Sequence, residues 1–440
     1  MPMKGRLAYL REYLATSIWL IPLALSLSGA VLGILMLWLD RSLGQYGMAG
    51  MAFSLHPEDA RRVLGIIAGS IIGVGGVAFS MTMVALTLTS GQYGPKILRN
   101  FLGDNYSKLS LGLFLGTYVY ALIVLSGYDA VDNPRLTVLI ALALAFAALI
   151  GFINFIHRTA TDLQADQIVH RIGRLLQQAL HDAAEGNDPD KRTHDTVIWR
   201  RDARSCRSYA IAANRWGYVQ TIDYEALLRW CQSKDCLLQI RARAGHFIVE
   251  GVCIFRLYVR EDSLPEYPVD ELNASIVIGP MRTPVQDTEY AITQLNQLAA
   301  RALSPGINDP GTAITCIDWF SLALSEIIDK DLAGCVFLDD DRKPRLLAQV
   351  SDFAGIMKAI YAPLRQLSRA DISVTVSLLE SLCRLAELTK RPERLGILAL
   401  HGDLIHEEVL RQEVSDFDLQ DIRQRHRKLS ILTHPLPNEA

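Results

Sequence analysis

The chain has 440 residues, half of them hydrophobic, and a formal charge of −3. That length allows about three domains, and the near-neutral charge argues against a nucleic-acid binder, which carries a basic excess. The apolar residues crowd into the first third, so a membrane part and a water-exposed part are expected.

Four apolar runs, 15–39, 63–88, 109–126 and 136–156, are each long enough for a helix across a ~30 Å hydrocarbon core. The first is too long for a cleaved signal peptide, whose apolar core is about 7–15 residues. Lys4, Arg6 and Arg11 precede it, Lys96, Arg99 and Lys108 follow the second run, and Arg158, Arg171 and Arg174 follow the fourth. Arg41, Arg61, Arg62 and Arg135 stand on the other side. The balance predicts both termini in the cytoplasm. All seven cysteines lie after the last run and form no C-x-x-C, which suits free thiols in a reducing compartment.

The second run has one unusual face. Steps of four and three residues meet Gly69, Gly73, Gly76, Ser80, Met83, Thr87 and Ser90, which share one side of a helix. Six of the seven are Gly, Ser or Thr, while Ile66, Ile71, Val77, Phe79 and Val84 lie elsewhere. Small residues let helices approach closely in lipid. The same face could line a pore. Ser and Thr mark a pore weakly, because they also bond to their own helix carbonyls. A glycine-rich helix broken at Gly91–Pro95 resembles, by analogy, the pore helix of small-conductance mechanosensitive channels.

No proline interrupts 152–186, and Ile168, Ile172, Leu175, Leu176 and Leu180 keep helical spacing, so the fourth span is expected to continue as one amphipathic rod. A linker follows at 186–195. Residues 197–262 alternate like short strands around Gly217, Gly245 and Gly251. Their order resembles the half-barrel of biotinyl and lipoyl carrier domains. Lys234, the only lysine nearby, lacks the carriers' flanking pattern, so the shape is expected without the prosthetic group. From 263 to 440 the chain is mainly helical, with Asp309 as an N-cap before Pro310. The fold class is therefore an α-helical membrane domain (1–157), a connecting helix and linker (158–196), a small barrel-sandwich-like β module (197–262) and a helical domain (263–440).

Several motifs stand out: S-M-T-M-V-A-L-T-L-T-S-G-Q-Y-G-P from Ser80, G-Y-V-Q-x-I-D from Gly217, R-T-P-x-Q-D-x-E-Y from Arg282, R-A-L-S-P-G-I-N-D-P-x-T-A from Arg301 and C-I-D-W from Cys316. With them the chain resembles a widespread family of bacterial integral membrane proteins catalogued as domain of unknown function 2254. The resemblance covers nearly the whole chain. It implies four spans and a cytoplasmic tail, hence a multi-pass protein of the bacterial inner membrane, and supplies no activity.

A polar cluster falls in these motifs: Arg282, Gln286, Asp287, Arg301, Asn308, Asp309 and Asp318. Opposed charges around a rigid turn could hold a small cytoplasmic ligand, or could join two helices as a salt-bridge network. His401 and His406 have poor spacing for one helix face, and H-E-x-x-H is absent, so no metal is expected. No P-loop, G-x-S-x-G or dinucleotide fingerprint occurs, and no cofactor is expected. No charge falls inside the four runs, which disfavours an ion-coupled pump. Three readings stay open: a homo-oligomeric passive channel or transport protein with a cytoplasmic regulatory region, a membrane-anchored ligand sensor or enzyme acting around 282–318, and a structural membrane scaffold.

Overall fold

The computed structural model describes residues 19–44, 57–93, 105–127, 135–162, 164–186, 190–260, 269–332 and 334–434. The chain forms two compact units, one built on residues 9–167 and the other on residues 168–440.

The first unit contains α1 (Leu20–Gly44), α2 (Pro57–Tyr93), α3 (Asn105–Gly127) and α4 (Arg135–Asp162). All four are long and apolar enough to cross a membrane. Helix α3 packs against each of the others. Its glycines make this possible. A Cβ on Gly116 would lie 2.8 Å from the Leu25 carbonyl oxygen, and one on Gly112 would lie 3.1 Å from the Pro22 Cα. Backbones of α1 and α3 therefore nearly touch, the small-residue packing that lipid favours. Leu64, Ile71, Phe114, Tyr120, Val124, Val138 and Phe155 form the core.

Helix α1 continues past the expected end of the first run, through Asp40. That carboxylate is buried and reaches the start of α4. It accepts hydrogen bonds from the backbone N–H of Leu136 (3.2 Å) and Thr137 (2.9 Å), and from the Thr137 hydroxyl. These first-turn N–H groups have no partner within their own helix. Tyr120 of α3 donates to the Thr137 carbonyl at 2.8 Å. One charge from α1 thus caps α4.

The expected continuous rod is instead two helices. Helix α4 stops at Asp162 and α5 (Ala165–Glu185) begins after a turn in which Gln164 N–H donates to the Thr161 carbonyl (3.1 Å). Neither Gly nor Pro marks the break. The Thr161 hydroxyl bonds back to the His157 carbonyl (2.6 Å), a contact that bends helices, and Asp166 favours a fresh N-terminus. Helix α5 buries Ile168, Val169, Ile172, Leu176 and Leu180.

The second unit continues with β1 (Arg192–Thr193), α6 (Thr196–Ala203), β2 (Arg207–Ala212), β3 (Gly217–Ile222), α7 (Tyr224–Ser233), β4 (Leu237–Ile240), β5 (Phe247–Ile248), β6 (Cys253–Val259), α8 (Val269–Ala274) and β7 (Ile276–Gly279). Then come α9 (Glu289–Ala302), α10 (Pro310–Ser325), β8 (Val336–Leu338), β9 (Pro344–Leu347), α11 (Phe353–Leu367), α12 (Ile372–Leu388), α13 (Pro392–Leu410) and α14 (Asp416–Thr433). One sheet runs β1-β8-β9-β4-β6-β2 and a second runs β5-β3-β7. Both feed one core that includes Val219, Ile222, Leu238, Phe255, Leu257, Ile276 and Leu346.

No barrel closes among the described strands, which lie in two separate sheets. The larger sheet is completed by the β8–β9 hairpin, with Leu238 of β4 paired in parallel to Leu346 of β9. Local alternation cannot reveal a partner more than a hundred residues away. Arg345 fixes the hairpin in place, pairing with Asp339 (2.8 Å) and Asp235 (2.7 Å).

Candidate functional site

Two regions collect the residues nominated by the sequence. The first is a face of α2. Ala60, Leu64, Ile67, Ala68, Ile71, Ala78 and Ala85 are buried on its inner side, against α3 and α4. Gly69, Gly73, Gly76, Ser80, Met83 and Thr87 all lie on the outer, exposed side. Ser90 belongs to α2, but its side chain lies outside the described residues. A Cβ on Gly65, Gly69, Gly73 or Gly76 would meet no atom of the described residues within 4 Å. The glycines of α1 and α3 are used in packing within the unit, whereas these four are not. Thr87 bonds to the Met83 carbonyl and Thr82 to the Ala78 carbonyl, each at 2.8 Å, so both hydroxyls are satisfied by their own helix.

The second region lies before and at the N-terminus of α9. Arg282 binds the buried Asp287 carboxylate through Nη2 at 2.6 Å and Nε at 2.7 Å. Gln286 acts as a stand-in strand: its Oε1 accepts from Ile222 N–H (2.8 Å) and its Nε2 donates to the Ile222 carbonyl (3.1 Å). The motif from Arg282 therefore clips the start of α9 to β3.

Arg243, not nominated by the sequence, completes the network. It donates to Glu289 at 2.7 Å, to the His246 ring nitrogen at 2.9 Å and to the Ser351 hydroxyl. Gly245, at φ +88°, brings its Cα against Asp287, where any Cβ would collide with the carboxylate. Burial pushes the Asp287 carboxyl above its ordinary range despite Arg282. Burial acts the same way on Glu289, but Arg243 and Ser351 outweigh it and leave that carboxyl below its ordinary range. Burial and then Arg243 lower His246.

The remaining nominated residues have other contacts. Asn308 sits in the turn after α9 at φ +50°, and its N–H donates to the Ser304 carbonyl (2.9 Å). Asp309 caps α10, accepting from the Thr312 N–H (3.1 Å) and hydroxyl (2.5 Å). Asp318 pairs with Arg384 of α12 at 2.7 Å on the surface. Arg301 lies in the last turn of α9. Among the described residues, no hydrogen bond or ion pair links Asp309 or Asp318 to the Arg282–Asp287 pair.

No signal in the sequence pairs Arg243 with Glu289, because the two meet only when the turn after β4 folds onto α9. Elsewhere, burial and Arg365 push His401 down to about 4, and Glu408 is held by Arg365 and, at 2.8 Å, by Arg369.

Comparison with known proteins agrees with the four apolar helices. Residues 15–384 match the family described as Predicted membrane protein (DUF2254). The chain belongs to this family. Every nominated residue falls within the matched span, whereas all of α13 and α14 lie beyond it. Similar proteins include uncharacterized proteins of Mycobacterium tuberculosis (strains CDC 1551 / Oshkosh and H37Rv) and Mycobacterium bovis. Each is 26% identical over 408 residues, covering 89% of this chain and 76% of the relative. No solved structure matches.

Proposed function

We propose that this DUF2254 protein is a passive channel or transport protein assembled from several copies, with the outer face of α2 at the contact between them. One observation carries the proposal: Gly65, Gly69, Gly73 and Gly76 leave open backbone on a helix whose other side is packed. A helical glycine is about 1 kcal/mol less favourable than alanine, and close packing is its usual return in lipid. A second copy supplies that packing. Ser80, Met83 and Thr87 then continue the same face toward the other end of the helix. In this reading the protein lies in a bacterial inner membrane with both termini and the second unit in the cytoplasm. The Lys and Arg flanks and the placement of all seven cysteines support that orientation.

Reconstituted liposomes test the proposal. Gly73→Cys is expected to give a reducible cross-linked dimer, and Ile153→Cys, exposed on α4, is not. Ser80→Leu and Thr87→Leu are expected to reduce solute flux. Absence of flux at every tension and voltage, with both leucine variants indistinguishable from the native chain, removes the channel. Cross-linking without flux would leave a membrane scaffold. A small molecule bound near Asn308 and lost in Arg282→Ala would favour a ligand sensor instead.

A further inference from the structure

The last two helices are joined by a pair of histidines. His406 of α13 and His426 of α14 stack with ring centroids 4.3 Å apart and planes 11° from parallel. His426 Nε2 lies 2.8 Å from Asp403 Oδ1. His406 Nε2 is sealed from solvent and has no hydrogen-bond partner among the described residues.

The surrounding charges do not supply one. On α13, Asp403 is engaged by His426, and Glu407 lies 3.8 Å from Arg411. On α14, Arg423 adds positive charge beside His406. On α12, Glu380 is held by Arg425 and Glu387 by Lys428, both at 2.7 Å. On α11, Arg365 is bonded to Glu408 and also acts on His401.

We propose that the His406–His426 stack is an acid-sensitive latch, and that proton uptake at His406 releases α14 from α13. In the protonated ring Nε2 must be a donor, with no acceptor for it among the described residues, and a cation stands face to face with the ring that Asp403 holds. A buried donor left unmade carries its full desolvation cost. Burial, then His426 and Arg423, lower the His406 pKa in the docked state, against the weaker pull of Asp403 and Glu407. A base lowered on docking favours the docked state above its ordinary value of about 6.5. That contribution is lost as the pH falls through the ordinary value toward the lowered one. The inference does not depend on the assembly proposed for α2.

Hydrogen exchange of the full chain in lipid nanodiscs tests it, with rates corrected for intrinsic pH dependence. Between pH 7.5 and 5.5, protection across 416–433 is expected to fall about fivefold, while 372–388 changes little. His406→Phe keeps a stacking ring without a titrating nitrogen and should abolish the fall. Arg423→Glu, a surface change that brings an anion to the pair, should shrink it to less than about threefold. His401→Phe should leave it in place. Equal protection of 416–433 at the two pH values overturns the latch, and so does an undiminished fall in His406→Phe or in Arg423→Glu.

Discussion

The indole of Trp319 lies directly on the backbone of Gly173: a Cβ there would sit 2.7 Å from the ring's Cγ. His170, one turn earlier on α5, meets the same ring edge-on at 5.0 Å. The C-I-D-W motif of α10 is thus a clamp on α5, the helix that follows the last span. Gly173→Val is expected to destabilise the second unit by about 1–3 kcal/mol through overpacking, whereas Gly186→Val, beyond the end of α5, should have little effect. Thermal unfolding of the detergent-solubilised chain, followed by tryptophan fluorescence, measures both. Equal melting points would show that the contact is dispensable.

The Arg282–Asp287 pair predicts both a cost and a pH signature. Arg282→Ala leaves a buried carboxylate without its cation, a loss of about 3 kcal/mol at neutral pH. In the native chain the two neighbouring carboxylates respond oppositely to acid. Asp287 is raised on folding, so its contribution improves as pH falls from the raised value to the ordinary carboxylate range. Glu289 is lowered, so its contribution is present above the ordinary range and lost below it. Asp287→Asn removes the compensating half. Stability of that variant should therefore fall more steeply between about pH 5 and 3 than that of the native chain. Melting curves across that interval decide the matter, and parallel slopes would contradict the assignment.

Asp40 predicts a long-range cap inside the spanning unit. Asp40→Ala should cost about 1 kcal/mol, and Thr137→Val should lose part of the same energy. In a double-mutant cycle the two losses should not add, because both remove the same contact. Resistance to unfolding in mild detergent measures the cycle. Strict additivity would mean that the carboxylate acts on something other than α4.

Much of this protein is legible along the chain. The four apolar runs correspond to α1 through α4, because span length is set by bilayer thickness and is counted directly in residues. Asp309 followed by Pro310 marks the start of α10, because capping acts over three residues. The face of α2 is equally local, since steps of three and four residues place Gly69, Gly73, Gly76, Ser80, Met83 and Thr87 together whatever the helix packs against.

Tertiary structure decided what periodicity cannot carry. That this face turns outward depends on α3 and α4 occupying the opposite side of α2. The sheet of the second unit needs Leu238 beside Leu346, and its ion network needs Arg243 beside Glu289. Asp40 reads as a charge outside the first run until α4 is placed over it. Each of these contacts joins residues far apart in the chain, so it is set by the packing of whole elements and leaves no spacing to read.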